Sequence, residues 1–127
     1  MSCMKGGVIL MLTFYCYPKC GTCRAAKKWL DKHNISYKEI NLFDNPPSRE
    51  ELVTIYRNSG LELKKFFNTS GIQYRELGLK DIIKTAAEDE LLDILASSGR
   101  LIKRPILTDG KKVTVGFKEE EYEKTWL

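Results

Sequence analysis

The residues of this 127-residue chain whose types and spacing could do chemistry are the two thiols of Cys20-Gly21-Thr22-Cys23. They fall where an apolar run, Val8 to Tyr15, gives way to a helical pattern, and a helix N-terminus stabilises negative charge. Cys20 is therefore expected at the N-cap, with backbone N–H groups favouring its thiolate and making it the nucleophile. Cys23, one helical turn along, is placed to attack a mixed disulfide on Cys20, release a thiol and leave an intramolecular disulfide. Arg24 in the first turn adds positive charge beside the pair.

The other candidates for sulfur or metal chemistry read differently. Cys16 closes a strand and reads as a small buried core residue rather than a second resolving thiol, and Cys3 falls in a terminal tail. Zinc needs four ligands, whereas Cys16, Cys20, Cys23 and the single His33 lack a paired spacing, so no metal is expected. Four cysteines crowded into residues 3–23 leave about a hundred residues unstapled, which argues against a disulfide scaffold and for a reducing, cytoplasmic setting.

The elements around the pair follow from periodicity. Val8 to Tyr15 is β-branched, aromatic and aliphatic, as a buried strand requires, and Pro18 forbids its extension. Ala25, Ala26, Trp29 and Leu30 share one face of a first helix that stops at Asn34. Ile35 to Leu42 makes a second strand ended by Asn45-Pro46-Pro47. Ser48-Arg49-Glu50-Glu51 is a capping box opening a helix that Ser59-Gly60 closes. A short amphipathic turn at Leu63 to Phe67 and helices over Leu79 to Ala87 and Glu88 to Ala96 follow, so residues 48–98 form a helical insertion. Arg104 to Thr108 and Lys112 to Gly116 flank Asp109-Gly110 as a hairpin, and Tyr122 and Trp126 mark a closing helix.

Composition excludes several classes. With 43% hydrophobic and 30% charged residues, the chain suits one compact domain. The net charge of +4 is interleaved with Asp and Glu rather than concentrated, so no direct DNA contact is expected. No run approaches the roughly 18–20 apolar residues of a membrane helix, and the N-terminal apolar stretch lacks a small-residue cleavage site. There is no G-x-G-x-x-G fingerprint, so no bound organic cofactor is expected.

Several separate motifs, in order, resemble the arsenate reductase-like family of thioredoxin-fold proteins, to which Spx-type regulators belong. They are Tyr15 to Arg24, Pro47, Tyr74-Arg75-Glu76-Leu77-Gly78-Leu79, Leu101 to Ile106, and Val115-Gly116-Phe117. The resemblance implies an α/β fold, a thioredoxin-like mixed β-sheet with a helical insertion at about residues 48–98. It runs from Met11, giving a single domain over 11–127 with residues 1–10 as an N-terminal extension.

The same resemblance implies that Pro105 is cis and that Arg104 lies close to Cys20, where its planar fork suits an oxyanion or a carboxylate. Arsenate-reducing relatives bring two further arginines. One falls at Lys64, which supplies charge without bidentate geometry, and the other in the Val115-Gly116-Phe117 region, which supplies neither. An efficient arsenate pocket is therefore not expected. The leading expectation is a thiol–disulfide oxidoreductase using glutathione, glutaredoxin or thioredoxin as electron donor. The alternatives are an Spx-like redox sensor docking on the RNA polymerase α subunit and a true glutathione/glutaredoxin-dependent arsenate reductase.

Overall fold

The computed structural model describes residues 12–127, so the expected N-terminal extension, Cys3 and the first part of the Val8–Tyr15 strand lie outside the described residues. Four strands form one sheet in the order β2-β1-β3-β4. The first strand, β1 (Leu12–Cys16), pairs parallel with β2 (Tyr37–Asn41) and antiparallel with β3 (Ile106–Thr108), which pairs antiparallel with β4 (Val113–Val115). The parallel pair needs a crossover, and α1 (Gly21–Lys32) supplies it. This is the mixed, thioredoxin-like α/β fold that the sequence resemblance implied.

Side chains alternate across a strand, and each face of the sheet acquires its own core. Leu12, Phe14 and Cys16 of β1, with Leu107, pack against Cys23, Ala26, Trp29 and Leu30 of α1 and against Tyr122 of α6 (Glu119–Trp126). Tyr15 and Ile106 turn the other way, toward the helical insertion. The face of α1 that is buried runs Cys23, Ala26, Trp29, Leu30, while Ala25, expected on that face, is exposed. Asn34 ends the helix with φ +57°, a left-handed conformation that asparagine adopts more readily than most residues.

The insertion between β2 and β3 begins with α2 (Arg49–Ser59). Its capping box is complete: Glu51 N–H donates to Ser48 Oγ at 3.1 Å, and Ser48 N–H donates to Glu51 Oε1 at 3.0 Å. Gly60, at φ +69°, closes that helix. A 3₁₀ turn (Leu63–Phe66), α3 (Ile72–Glu76), α4 (Leu79–Thr85) and α5 (Glu88–Ser97) follow. Helix α3 was not expected from periodicity, because none of its residues is buried and it carries no apolar stripe to read. Arg49 clamps α2 to α5 through Asp93 at 2.5 Å and Asp89 at 3.1 Å. Leu91, Leu92 and Leu95 of α5 are buried, as their spacing indicated.

The hairpin differs in detail from the two-residue turn that Asp109-Gly110 suggested. Its connection spans residues 109–112, with Asp109 Oδ1 accepting from the N–H groups of Lys111 at 2.8 Å and Lys112 at 2.7 Å. An aspartate that accepts two backbone bonds holds a wider turn than the dipeptide alone demands. Among the described residues, no helix is long and apolar enough to cross a membrane.

Candidate functional site

Helix α1 opens at Cys20, whose extended backbone (φ −83°, ψ 124°) makes it the N-cap residue. It has no side-chain cap bond and no acidic residue in its first turn. The opening N–H groups thus lack a side-chain acceptor and direct their partial positive charge to the end of the helix where the Cys20 sulfur is attached. Tyr17 folds the approach: Cys20 N–H donates to its carbonyl at 2.9 Å. Cys20 is half-exposed, whereas Cys23, on the inward face one turn later, is only 2% exposed.

A cleft of about 540 Å³ lies in front of Cys20, lined also by Thr22, Lys65, Lys103, Arg104 and Lys118. Glu121 is the acidic member of its wall. Arg104 precedes a cis proline, Pro105, which is itself buried and whose carbonyl accepts from Gly116 N–H at 2.8 Å. The Arg104 guanidinium lies 5.2 Å from the centroid of Phe43 and 5.8 Å from that of Tyr17, two rings that stack at 4.0 Å. Arg104 Nη1 reaches the Ile102 carbonyl at 3.5 Å, and its Nε is buried with no partner among the described residues. The stacked rings hold the arginine from one side, contacts worth about 0.5–2 kcal/mol each.

The structure separates the remaining expected site residues. Lys64 pairs with Glu62 at 3.4 Å and faces a different cavity; its neighbour Lys65 lines the cleft. Two consecutive lysines on an exposed 3₁₀ turn cannot be told apart by sequence alignment, and the burial of Leu63 and Phe66 decides which one faces the cleft. Arg24 lines a smaller cavity behind the pair with Cys16, Pro18, Cys23, Lys27 and Glu39, not the cleft in front of Cys20. The Val115-Gly116-Phe117 segment does reach the cleft. His33 packs against Trp29 with the rings tilted and their centroids 4.3 Å apart, at the far end of α1.

Sequence reasoning missed three contributors. Lys103 lies within the Leu101 to Ile106 motif but was given no role of its own, and Lys118 follows the hairpin outside any motif. Phe43 carried no chemical signal, because its role is to stack beneath Arg104 and Tyr17.

The electrostatics concentrate on the buried thiol. Cys23 is held below the ordinary thiol value, at about 6, first by a hydrogen bond from Cys16. Burial opposes that shift, and the Tyr17 backbone N–H at 3.3 Å, Cys20 and the charge of Arg104 favour it. Cys16 moves the opposite way: its bond to Cys23, burial and the charge of Glu39 keep its proton in place. A thiol one turn inside the helix is thereby set up as an anion beside an exposed one.

Comparison with known proteins shows the family and the fold. The ArsC family model matches residues 15–125. The Bacillus subtilis protein YusI is 61% identical over 117 residues, covering 92% of this chain and 99% of its own. The global transcriptional regulator Spx of Streptococcus pyogenes is 34% identical over 118 residues, covering 87% of this chain and 81% of its own. A solved ArsC family related protein from Bacteroides fragilis superposes with a TM-score of 0.87 at 47% identity, covering 89% of this chain and 95% of that one.

Proposed function

The chain belongs to the ArsC family, and from that premise we propose that it is a thiol–disulfide oxidoreductase of a reducing cytoplasm. Cys20 is its nucleophile and Cys23 its resolving thiol. The observation that carries this reading is the contrast between the two sulfurs: Cys20 half-exposed at a helix N-terminus facing a basic cleft, and Cys23 buried with its pKa lowered to about 6. The Cys20 thiolate attacks one sulfur of a substrate disulfide and expels the first thiolate. Cys23 then attacks Cys20 Sγ, expelling the second. The substrate gains two electrons, and the pair becomes a disulfide. An external thiol, glutathione or a thioredoxin or glutaredoxin, returns the electrons without a bound cofactor.

Arg104 and the lysines at the cleft favour an anionic substrate. One arginine among three lysines supports general anion attraction more than the bidentate enclosure of an oxyanion, so reduction of arsenate is the weaker use of this cleft. The test is reduction of an aromatic disulfide: wild type should release two thiol equivalents, Cys23→Ser one rapidly, and Cys20→Ser none at the rapid rate. Rapid release from Cys20→Ser rejects the assignment.

The likeness to Spx supports a second reading, in which the state of the same pair governs docking on the RNA polymerase α subunit. Binding of the α subunit that differs between reduced and oxidised protein would establish it. Equal or absent binding in both states would remove it.

A further inference from the structure

The cleft in front of Cys20 does not end at its own wall. Two of its lysines, Lys65 and Lys103, also line a second cavity of about 280 Å³ with Lys64, Thr69 and Tyr74. The segments that carry them are joined by backbone. Lys103 N–H donates to the Phe66 carbonyl at 2.7 Å and Asn68 N–H to the Leu101 carbonyl at 2.8 Å, around an antiparallel bridge between Phe67 and Ile102. Phe67 and Ile102 are 1% and 0% exposed, so the seam between the insertion and the base of the hairpin is packed as core while Lys65 and Lys103 stay exposed.

Charge on this surface is one-sided. Lys64, Lys65, Lys103, Arg104 and Lys118 line the two cavities together, against Glu121 as the carboxylate among the described lining residues, whereas the whole chain holds 21 basic residues to 17 acidic. Lys64 has Glu62 at 3.4 Å, but both side chains are exposed, and such a surface pair contributes little and yields readily to a new partner. Tyr74, packed against Phe67 with ring centroids 6.4 Å apart, adds a hydroxyl donor to the second cavity. A cleft of about 540 Å³ already suffices for a small ligand, so cations that continue past it suit a ligand extending beyond the reacting sulfur. The cleft also carries Leu61, Val115 and Phe117, and apolar steps between charges fit the alternating side chains of an extended polypeptide better than a run of phosphates.

We propose that the substrate disulfide is carried on an extended acidic segment of a partner protein, which docks with its disulfide at Cys20 and its carboxylates across Lys65 and Lys103 to Lys64. The inference rests on the assignment of Cys20 and Cys23 as the reacting pair and supplies the substrate class for that reaction. The exchange is the same: the segment's disulfide gains two electrons and leaves as two thiols, while Cys20 and Cys23 close into a disulfide. Docking adds no redox step.

The test uses the full chain and peptides whose one cysteine is held in a mixed disulfide with a chromophoric aromatic thiol. One set carries Asp and Glu about three to six residues from the cysteine, on either flank, a span of about 10–20 Å in extended chain. Its counterpart carries Asn and Gln. At low salt, kcat/KM for one of the acidic peptides should exceed that of its neutral counterpart by about tenfold, and the ratio should shrink as salt approaches about 0.5 M. Lys64→Glu should cut the ratio by at least about threefold. Lys38→Glu, at an exposed position of β2 on the opposite edge of the sheet, makes the same change in net charge and should leave the ratio within about 1.5-fold of wild type. Each variant is read against its own neutral peptide, so any loss of folding or thiol reactivity divides out.

Equal reduction of acidic and neutral peptides by wild type, or an equal loss of preference in Lys64→Glu and Lys38→Glu, overturns the proposal. Stronger inhibition by a single-stranded oligonucleotide than by an acidic peptide of equal charge, with serine for its cysteine, also overturns it and assigns the surface to nucleic acid. Failure of wild type to release thiol rapidly from any peptide or small aromatic disulfide strikes the assignment of Cys20 and Cys23 instead. Fluorescence anisotropy of the labelled serine peptide needs no electron transfer, and binding lost in Lys64→Glu but kept in Lys38→Glu still supports the docking surface.

Discussion

The Tyr17 amide donates to Cys23 Sγ across 3.3 Å, so the loop that leads into α1 also stabilises the thiol buried within that helix. Together with Cys16 and the charge of Arg104, this contact holds Cys23 at about 6. The lowered value means that acid protonates the thiolate and pH above the midpoint leaves it charged. Resolution of a mixed disulfide on Cys20 should therefore accelerate as pH rises to about 6 and level off above it. Stopped-flow measurement of the second thiol release across pH checks this; a midpoint at the ordinary thiol value of about 8.5 would contradict it.

Arg104 should matter for what reaches the sulfur. Arg104→Ala is expected to slow attack on a dianionic aromatic disulfide by about fivefold to tenfold, corresponding to about 1 kcal/mol of screened attraction. A neutral disulfide should react at nearly the wild-type rate. Arg104→Lys should recover most of the difference, since long-range attraction needs charge more than fork geometry. Equal slowing for both substrates would point to distortion of the loop instead.

Much of this arrangement was legible in the chain. Cys20 and Cys23 announce themselves by spacing, and Ser48 with Glu51 marks a helix start that the structure completes on both sides. The packing of Cys16 in the same cluster as Cys23 was not, since a strand cysteine looks the same whichever neighbours it faces. That outcome depends on which face of β1 meets α1. The same limit applies to Lys64 and Lys65: charge is visible in sequence, but the direction of a short exposed turn is set by the packing of Leu63 and Phe66 beneath it.

Ser48→Ala tests the local reading in isolation. Removing the hydroxyl takes away the acceptor for Glu51 N–H and should cost about 1 kcal/mol in urea unfolding. Thiol release by the cysteine pair should not change.

Gly99 tests the packing of the insertion against the sheet. A Cβ there would meet the Leu42 carbonyl oxygen at 2.0 Å and its carbon at 2.7 Å, both backbone atoms that cannot turn aside. Gly99→Ala should lower stability by at least about 2 kcal/mol, read from the shift in denaturation midpoint. A near-neutral result would show that the 3₁₀ turn at Gly99–Leu101 can move away from β2.

The cleft in front of Cys20 is a seam between two pieces of chain. Arg104, Lys103 and Lys118 come from the segments that bracket the hairpin, while Lys65, Asn68 and Ser70 come from the insertion. Under the proposed function, the thiol pair and half of the surface that would meet its substrate are thus carried on separate stretches of polypeptide. If the proposed function holds, substitutions around residues 61–70 should change which substrates are accepted while the thiol pair itself stays in place.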